Sequence, residues 1–397
     1  MRLCAWRRTG ALAHAAYLTL AFMKSAGQEV TFAVMEPIAN TSFELPVGWR
    51  TGHLQTIRSQ FRPGNWPLAA LGPQRQILVD LGDGTGDKLS VLVNRSHSPL
   101  STAHGPGARL VVLVHGLSGS AESTYVLSAA HALLRTGFNV ARVDLRGAGL
   151  SRAHSRNFYH AGRTDDLRSV LARLADEPEA TGDGAGRPAL GIVGFSLGGN
   201  AVIKLLGEPL QGLPPVAGVS VSAPLDLEVG SEYLAQAAFG LYESYILRSL
   251  KRDTLGEPAD GLARLSDKER AGIQSARGLV DFDNALTAPR NGWRSATEYY
   301  RASSSGPFLS TVASPLLVVH SLDDPMVPAG PYEAIDWAAI ERGGSVSRAI
   351  TTRGGHVGFH QKGRRYPWFT SLVIRHLRAH PTAQLGARPT HEESRTR

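Results

Sequence analysis

The stretch Leu190-Gly191-Ile192-Val193-Gly194-Phe195-Ser196-Leu197-Gly198-Gly199-Asn200 constrains the fold of this chain more than any other. It reads as an apolar strand, a sharp turn carrying Ser196, and a helix that begins at Leu197. Gly194, Ser196 and Gly198 form the pattern G-x-S-x-G, in which a turn lifts a serine hydroxyl to the tip of a strand on strained backbone. Gly194 and Gly198 suit that turn because a side chain at either would collide at the strand–helix crossing. The helix aims its N-terminal amides back at the serine, where they favour an oxyanion. A bare five-residue pattern fits a Gly-rich turn with a capping serine equally well. The rest of the chain must therefore supply a base, an acid and a second oxyanion donor.

The surroundings alternate strand and helix. Residues 109–114 are, after Arg109, a fully apolar run, as a buried parallel strand should be, and they lead into His115-Gly116-Leu117-Ser118-Gly119. Residues 124–135 carry apolar positions at helical spacing, and Gly137 stops them. Strand-like runs at 138–143 and 216–221 flank an amphipathic helix at 165–174, a Gly-rich loop at 177–187 and the serine segment. Upstream, 76–81 and 88–93 read as a hairpin around the turn cluster 82–87. Such alternation predicts a parallel sheet with right-handed crossovers. It breaks from 224 to 308, where the pattern is helical and anchored by Tyr233, Phe239, Tyr242, Tyr245 and Ile246. The sheet resumes at 315–320, followed by a helix near 334–340, a strand near 345–351 and a last helix at 369–380. Residues 43–66 read, on composition alone, as a surface arm.

Candidate chemical groups sit where strands end, and open α/β sheets bind ligands beyond their carboxyl ends. Ser196 follows one strand, Asp323 and Asp324 another, and His356, in Gly354-Gly355-His356-Val357-Gly358, a third. The order Ser, Asp, His is that of an α/β-hydrolase triad; the other common serine-hydrolase folds use different orders. A serine hydroxyl is a poor nucleophile at neutral pH, and a histidine can take its proton and later return it to a leaving alcohol. The carboxylate fixes the imidazole tautomer. Asp324 is the preferred acid because Asp324-Pro325-Met326-Val327-Pro328 carries the Asp-then-Val-Pro ending of such loops. Asp323 is left to shape the turn, and a one-residue shift would swap the two roles. The backbone amides of Leu117 and Leu197 are the expected oxyanion hole, with the His115 ring bracing its loop. Asp144 and Arg146 are expected to pair across a turn, and His131 to pack in a helix. His53, His154, His160, His320 and His360 lack metal-ligand spacing, so neither metal nor cofactor is expected.

The 397 residues suffice for one large α/β domain with an insertion. The formal charge of +8 is spread without a basic stripe interleaved with aromatics, which argues against a nucleic-acid partner. At most it favours peripheral contact with anionic lipid. Cys4 is the only cysteine, so one chain can form neither a disulfide nor a thiolate metal site. Arg2, Arg7 and Arg8 precede a short apolar run at 11–23, which resembles a signal segment. His14 interrupts that run, and it is too short to span a bilayer. An over-extended start, with Met35 as the true one, is the preferred reading; it predicts a cytoplasmic protein, with export as the alternative.

Several further motifs, in order, carry a family resemblance. They are Gly52-His53-Leu54-Gln55-Thr56-Ile57, His115-Gly116-Leu117-Ser118-Gly119, Arg146-Gly147, Tyr159-His160-Ala161-Gly162 with Asp165-Asp166, and Gly194 to Asn200. Phe282-Asp283 with Thr287-Ala288-Pro289, Tyr299-Tyr300, Asp323-Asp324-Pro325 and Gly354 to Phe359 complete the set. From about Pro46 to about Leu377 the chain resembles the YheT-type α/β-hydrolases, which include animal abhydrolase-domain phospholipase-like proteins and yeast medium-chain ester synthases. Met326 departs from the aromatic often found there, which bears on pocket shape and not on chemistry. The resemblance implies the same triad, Ser196, Asp324 and His356.

The expected architecture is thus an α/β-hydrolase fold: a mostly parallel sheet flanked by helices with an inserted helical cap. Its parts are an N-terminal extension (1–34), an arm (35–70), a core (71–223 and 311–380), a cap (224–310) and a disordered tail (381–397). The expected function is hydrolysis of short- to medium-chain or lipid-derived carboxylic esters through an acyl-enzyme on Ser196. The alternative is an acyltransferase that passes the acyl group to an alcohol with the same residues. A non-catalytic binding protein is a third possibility that the full set of groups argues against. Dehalogenase and epoxide-hydrolase chemistry need a carboxylate where Ser196 stands.

Overall fold

Runs of Val, Leu and Ile with no polar alternation build the centre of the sheet. Leu110–Val114 (β3) and Val216–Val221 (β6) are buried at every position, so both faces are covered. The computed structural model describes residues 43–100, 110–177, 190–210, 212–213, 216–256 and 265–380. The expected extension at 1–34 and tail at 381–397, and all but Glu177 of the loop 177–187, lie outside the described residues.

The other strands are Gln74–Asp80 (β1), Lys88–Asn94 (β2), Asn139–Val143 (β4), Leu190–Phe195 (β5), Leu316–Ser321 (β7) and Val346–Thr351 (β8). They form one 8-stranded sheet in the order β1-β2-β4-β3-β5-β6-β7-β8. The β1–β2 and β2–β4 pairings are antiparallel, and every pairing from β4 to β8 is parallel. Strand β1 buries Ile77 and Val79 and exposes their neighbours, as an edge strand with one wet face does.

The helices are Gly52–Phe61 (α1), Thr124–Arg135 (α2), Thr164–Ala175 (α3), Leu197–Gly207 (α4), Leu227–Gln236 (α5), Leu241–Leu255 (α6), Asp267–Ser275 (α7), Ala296–Ser303 (α8), Trp337–Arg342 (α9) and Trp368–Ala379 (α10). Helix α4 packs on β5 and β6 and is apolar nearly all round, so burial rather than amphipathicity holds it. Helices α5 to α8 leave the sheet between β6 and β7, which are adjacent parallel strands. Local signals start three of them. The Asp226 carboxylate accepts from the Glu228 and Val229 amides, and Ser266 and Glu269 form a reciprocal capping box. The Ser295 hydroxyl at the head of α8 accepts from the Glu298 amide. The expected helix at 334–340 is two pieces, Gly330–Glu333 and Trp337–Arg342, because Asp336 turns the chain and caps the Ala339 amide.

Arg146 does not pair with Asp144. Its guanidinium meets Asp166 at 3.0 Å, Asp87 at 2.9 Å and Asp83 at 2.8 Å. The Asp144 carboxylate instead accepts from the Ala121 and Leu150 amides, at 2.7 and 3.0 Å. A buried cation needs full compensation, and here it draws on two separate segments, the β1–β2 turn and α3, that no local spacing reveals.

Candidate active site

Ser196 ends β5 and opens α4 with φ 53° and ψ −120°, a backbone state that a side chain strains. The strain is held from both sides. The Ser196 amide donates to the Val221 carbonyl at 2.8 Å, and its own carbonyl accepts from the Asn200 amide at 3.1 Å. A Cβ at Gly198 would lie 2.5 Å from the His115 carbonyl oxygen, so α4 approaches the β3 loop only because that position is glycine. The Leu197 amide is at the start of the helix, where no intrahelical acceptor exists for it.

The loop after β3 faces Ser196. The Leu145 amide donates to His115 Nε2 at 3.1 Å, so the other nitrogen carries the proton and donates to the Gly116 carbonyl at 2.7 Å. Burial lowers the pKa of this ring, which keeps it neutral. The Gly116 and Ser118 amides donate to the Tyr125 and Tyr159 hydroxyls, at 2.9 and 2.7 Å. Leu117 is thereby fixed between two anchored residues.

The two aspartates after β7 have different partners. Asp324 is 3% exposed; its Oδ1 accepts from the Met326 and Val327 amides at 2.8 and 3.0 Å, and its Oδ2 lies 2.8 Å from His356 Nδ1. Asp323 turns the other way. Its Oδ1 accepts from Ser321 Oγ at 2.6 Å and from the Gly354 and Gly355 amides at 2.7 and 2.9 Å. One carboxylate orients an imidazole and the other ties the backbone that carries it.

The segment expected to be a surface arm contributes α1, which is wedged under the histidine loop. A Cβ at Gly52 would stand 1.7 Å from the Asp323 carbonyl oxygen. The His356 amide donates to Thr56 Oγ1 at 2.8 Å, and the Thr56 hydroxyl donates to the Gly52 carbonyl at 2.8 Å. Gln55 is fully buried; its amide nitrogen donates to the Trp49 carbonyl and its oxygen accepts from the His360 amide, both at 2.6 Å. Composition misreads this segment because its buried residues are polar and spend their hydrogen bonds on distant backbone. Nothing in local periodicity marks Gln55 or Thr56; the family motif containing them was the one available signal. Asn200 is a similar case, joining α4 to the start of the Ser303–Ser305 turn through both of its amide atoms, at 2.9 Å each.

Ser196, Leu117, Leu197 and His356 line one cavity of about 420 Å³. Its walls are largely apolar, from Leu227 and Leu234 on α5, Ile246 and Leu250 on α6, and Leu279, Phe282 and Tyr299 beyond. Titratable groups interrupt them: Arg152, Arg252, Asp253 and Arg290 line the cavity, and so do Asp283 and His160. Burial pushes the Asp283 carboxyl up to about 6, against hydrogen bonds from Thr287 and Tyr300; the Tyr300 hydroxyl donates to Oδ2 at 2.7 Å. Burial drives His160 down to about 3, and the ring sits edge-on to Trp293 and Tyr299. Among the described residues, no three His, Cys, Asp or Glu side chains come together as a metal site needs.

A parallel sheet with a strained serine at one strand tip and an Asp–His pair at two others defines an α/β-hydrolase. The chain belongs to the alpha/beta hydrolase family, which its residues 111–366 match, and to the YheT-type group within it. It is 33% identical over 268 residues to YheT of Escherichia coli, an esterase by designation, covering 66% of this chain and 73% of that one. It is 29% identical over 286 residues to the medium-chain fatty acid ethyl ester synthase/esterase 2 of Saccharomyces cerevisiae, covering 66% of this chain and 60% of that one. The fold is shared with the esterase Pf2001 of Pyrococcus furiosus, at TM-score 0.51 and 17% identity, over 79% of this chain and 96% of that one. Among the described residues no helix is long and apolar enough to cross a membrane.

Proposed function

We propose that the protein is a serine carboxylic-ester hydrolase acting on short- to medium-chain or lipid-derived esters. One observation carries most of this reading: a strained Ser196 and a His356 whose Nδ1 lies 2.8 Å from the buried Asp324 carboxylate open into the same cavity. In this mechanism Asp324 accepts from Nδ1–H, which leaves Nε2 free to take the Ser196 proton. The serine oxygen attacks the ester carbonyl carbon. The Leu117 and Leu197 amides donate to the oxyanion as it forms. The carbon–oxygen bond to the alcohol then breaks, and His356 returns its proton to the leaving oxygen. Water, activated by the same histidine, releases the acid.

The apolar part of the walls supports an acyl chain. In this scheme 71–223 and 311–380 are the hydrolase core, 224–310 is the cap over the cavity, and the substrate is the partner, with no nucleic acid involved. We assign the protein to the cytoplasm; its single cysteine can form no disulfide within the chain that would call for an oxidising compartment. The name of the yeast relative, both synthase and esterase, supports a second reading in which an alcohol replaces water.

A fluorophosphonate probe tests the assignment. It should label the folded protein at Ser196 and fail to label Ser196→Ala. Absence of labelling, or labelling that survives the substitution, would sink the proposal. Adding ethanol to an ester assay separates the readings: ester exchange outrunning acid release means transferase.

A further inference from the structure

Four consecutive amides in the loop after β8, from Gly354 to Val357, are each captured by a side chain from elsewhere in the chain. The Gly354 and Gly355 amides donate to Asp323 Oδ1 at 2.7 and 2.9 Å, the His356 amide to Thr56 Oγ1 at 2.8 Å, and the Val357 amide to Ser222 Oγ at 3.3 Å. The backbone between these clamps is strained. Gly355, Val357 and Phe359 have φ of 65°, 55° and 45°. Left-handed backbone is an outlier for a β-branched residue such as valine. It persists only where the surroundings over-determine it, and it points to function.

Thr56 is the clamp on the histidine itself. It is half-buried on α1, and its hydroxyl donates to the Gly52 carbonyl one turn back at 2.8 Å. That bond fixes the hydroxyl rotor and leaves the oxygen lone pairs for the His356 N–H. A Cβ at Gly355 would stand 2.3 Å from the Gly52 carbonyl oxygen and 2.8 Å from Thr56 Oγ1, so helix and loop meet only because glycine is there. Asp324 holds the imidazole at Nδ1, also at 2.8 Å. Thr56 holds the backbone from which the side chain leaves. Together the two contacts set the line on which Nε2 lies. Roughly 10° of rotation in the loop would carry Nε2 about 1 Å away, and a displacement of that size can cost about a hundredfold in rate. Thr56 does not line the cavity, so substrate has no contact with it to lose.

We infer that Thr56 is a positioning residue for the general base: its hydroxyl, carried by α1, keeps the His356 backbone in the setting from which Nε2 reaches Ser196 and the leaving oxygen. The inference rests on the proposed hydrolase mechanism and adds to it a residue from outside the sheet. It also gives Gly52-His53-Leu54-Gln55-Thr56-Ile57 a part in turnover. Gly52 permits the close approach and accepts from the hydroxyl, and Thr56 accepts from the histidine amide. Ser222, which follows β6 with φ 53°, is the counterpart on the other side of His356 and makes the longer bond.

Steady-state ester kinetics of the full chain carrying Thr56→Val or Thr56→Ser are the test. Valine keeps the shape and removes the hydroxyl; serine keeps the hydroxyl. Thr56→Val should lower kcat by roughly 10- to 100-fold, with KM within about twofold of wild type. Fluorophosphonate labelling of Ser196 should slow in parallel. Thr56→Ser should restore kcat to within about threefold of wild type. Rates are read well below each variant's thermal midpoint, so lost stability does not enter them. A Thr56→Val kcat equal to wild type, a higher KM at unchanged kcat, or a serine variant as slow as the valine one would overturn the inference. Should Thr56→Val fail to fold, Ser222→Ala takes its place: kcat should fall by about threefold at unchanged KM, and a wild-type kcat would overturn the inference too. A wild type that neither labels nor turns over an ester removes the nucleophile reading itself. That failure is distinct from an active, labelled wild type whose Thr56 variants are indifferent.

Discussion

The sheet side of the cavity and its helical roof are built on different terms. On the sheet side each candidate group is held by a hydrogen bond that involves backbone: the Ser196 amide by the Val221 carbonyl, Asp324 by the Met326 and Val327 amides, and the His356 amide by the Thr56 hydroxyl. The roof is made of helices, a π-helical turn at Asp283–Thr287 and a left-handed tip. It lines the cavity with apolar side chains such as Leu234, Ile246 and Phe282 and with polar ones such as Asp253, Asp283 and Arg290. Rigid preorganisation suits groups that must meet a transition state to within fractions of an ångström. Apolar walls tolerate substitution, and they set which chain fits more than how fast the bond breaks.

That division can be broken most sharply at Ser196. Ser196→Ala should lower kcat by about five orders of magnitude or more while leaving the thermal midpoint close to wild type, because triad members act as a unit. Activity within tenfold of wild type would place the chemistry elsewhere. Next comes the aspartate pair. Asp324→Asn should cost about four orders of magnitude in kcat through the wrong imidazole tautomer. Asp323→Asn should act first on stability, by roughly 1–3 kcal/mol, since it leaves the Gly354 and Gly355 amides with a weaker acceptor. Comparable kcat losses from the two variants would mean that their separate geometries do not translate into separate roles.

The roof should answer through stability. Asp283 is raised to about 6 in the folded chain from an ordinary 3.8, so between those pH values the folded state binds more protons than the unfolded one. Stability due to this residue is therefore greatest at low pH, falls as pH rises through that window and stays reduced above it, by about 3 kcal/mol. Asp283→Asn, which keeps an acceptor for Tyr300, should raise the thermal midpoint at pH 8 and do little at pH 4. An equal shift at both values would show that ionisation is not the cause. The smallest expected effect is selectivity. Leu250→Ala should shift the kcat/KM ratio between long and short acyl esters by about tenfold, with kcat for the preferred ester near wild type. A uniform loss across chain lengths would move Leu250 from the roof's specificity to its structure.

Much of the architecture was legible because parallel strands, helices and the serine turn are local events. The runs 110–114 and 216–221 had to be buried, and Gly194, Ser196 and Gly198 had to turn, whatever surrounded them. The chain order of Ser196, Asp324 and His356 was legible for a related reason: each follows a strand, and parallel strands deliver their carboxyl ends to one edge. Partner choice was not. Whether Asp323 or Asp324 faces the imidazole depends on which way two adjacent loop side chains point, and backbone amides from Gly354 and Gly355 decide it. Arg146 lies two residues from Asp144, yet it pairs with Asp83, Asp87 and Asp166, because a buried guanidinium goes where carboxylates converge in space. Gln55 and Thr56 show the same limit. Their sequence is polar and unremarked by periodicity, and only the folded chain sets them 305 and 300 residues away against His360 and His356. Local pattern determines elements because backbone geometry and burial act over a few residues; hydrogen-bond partners are fixed only once distant segments have met.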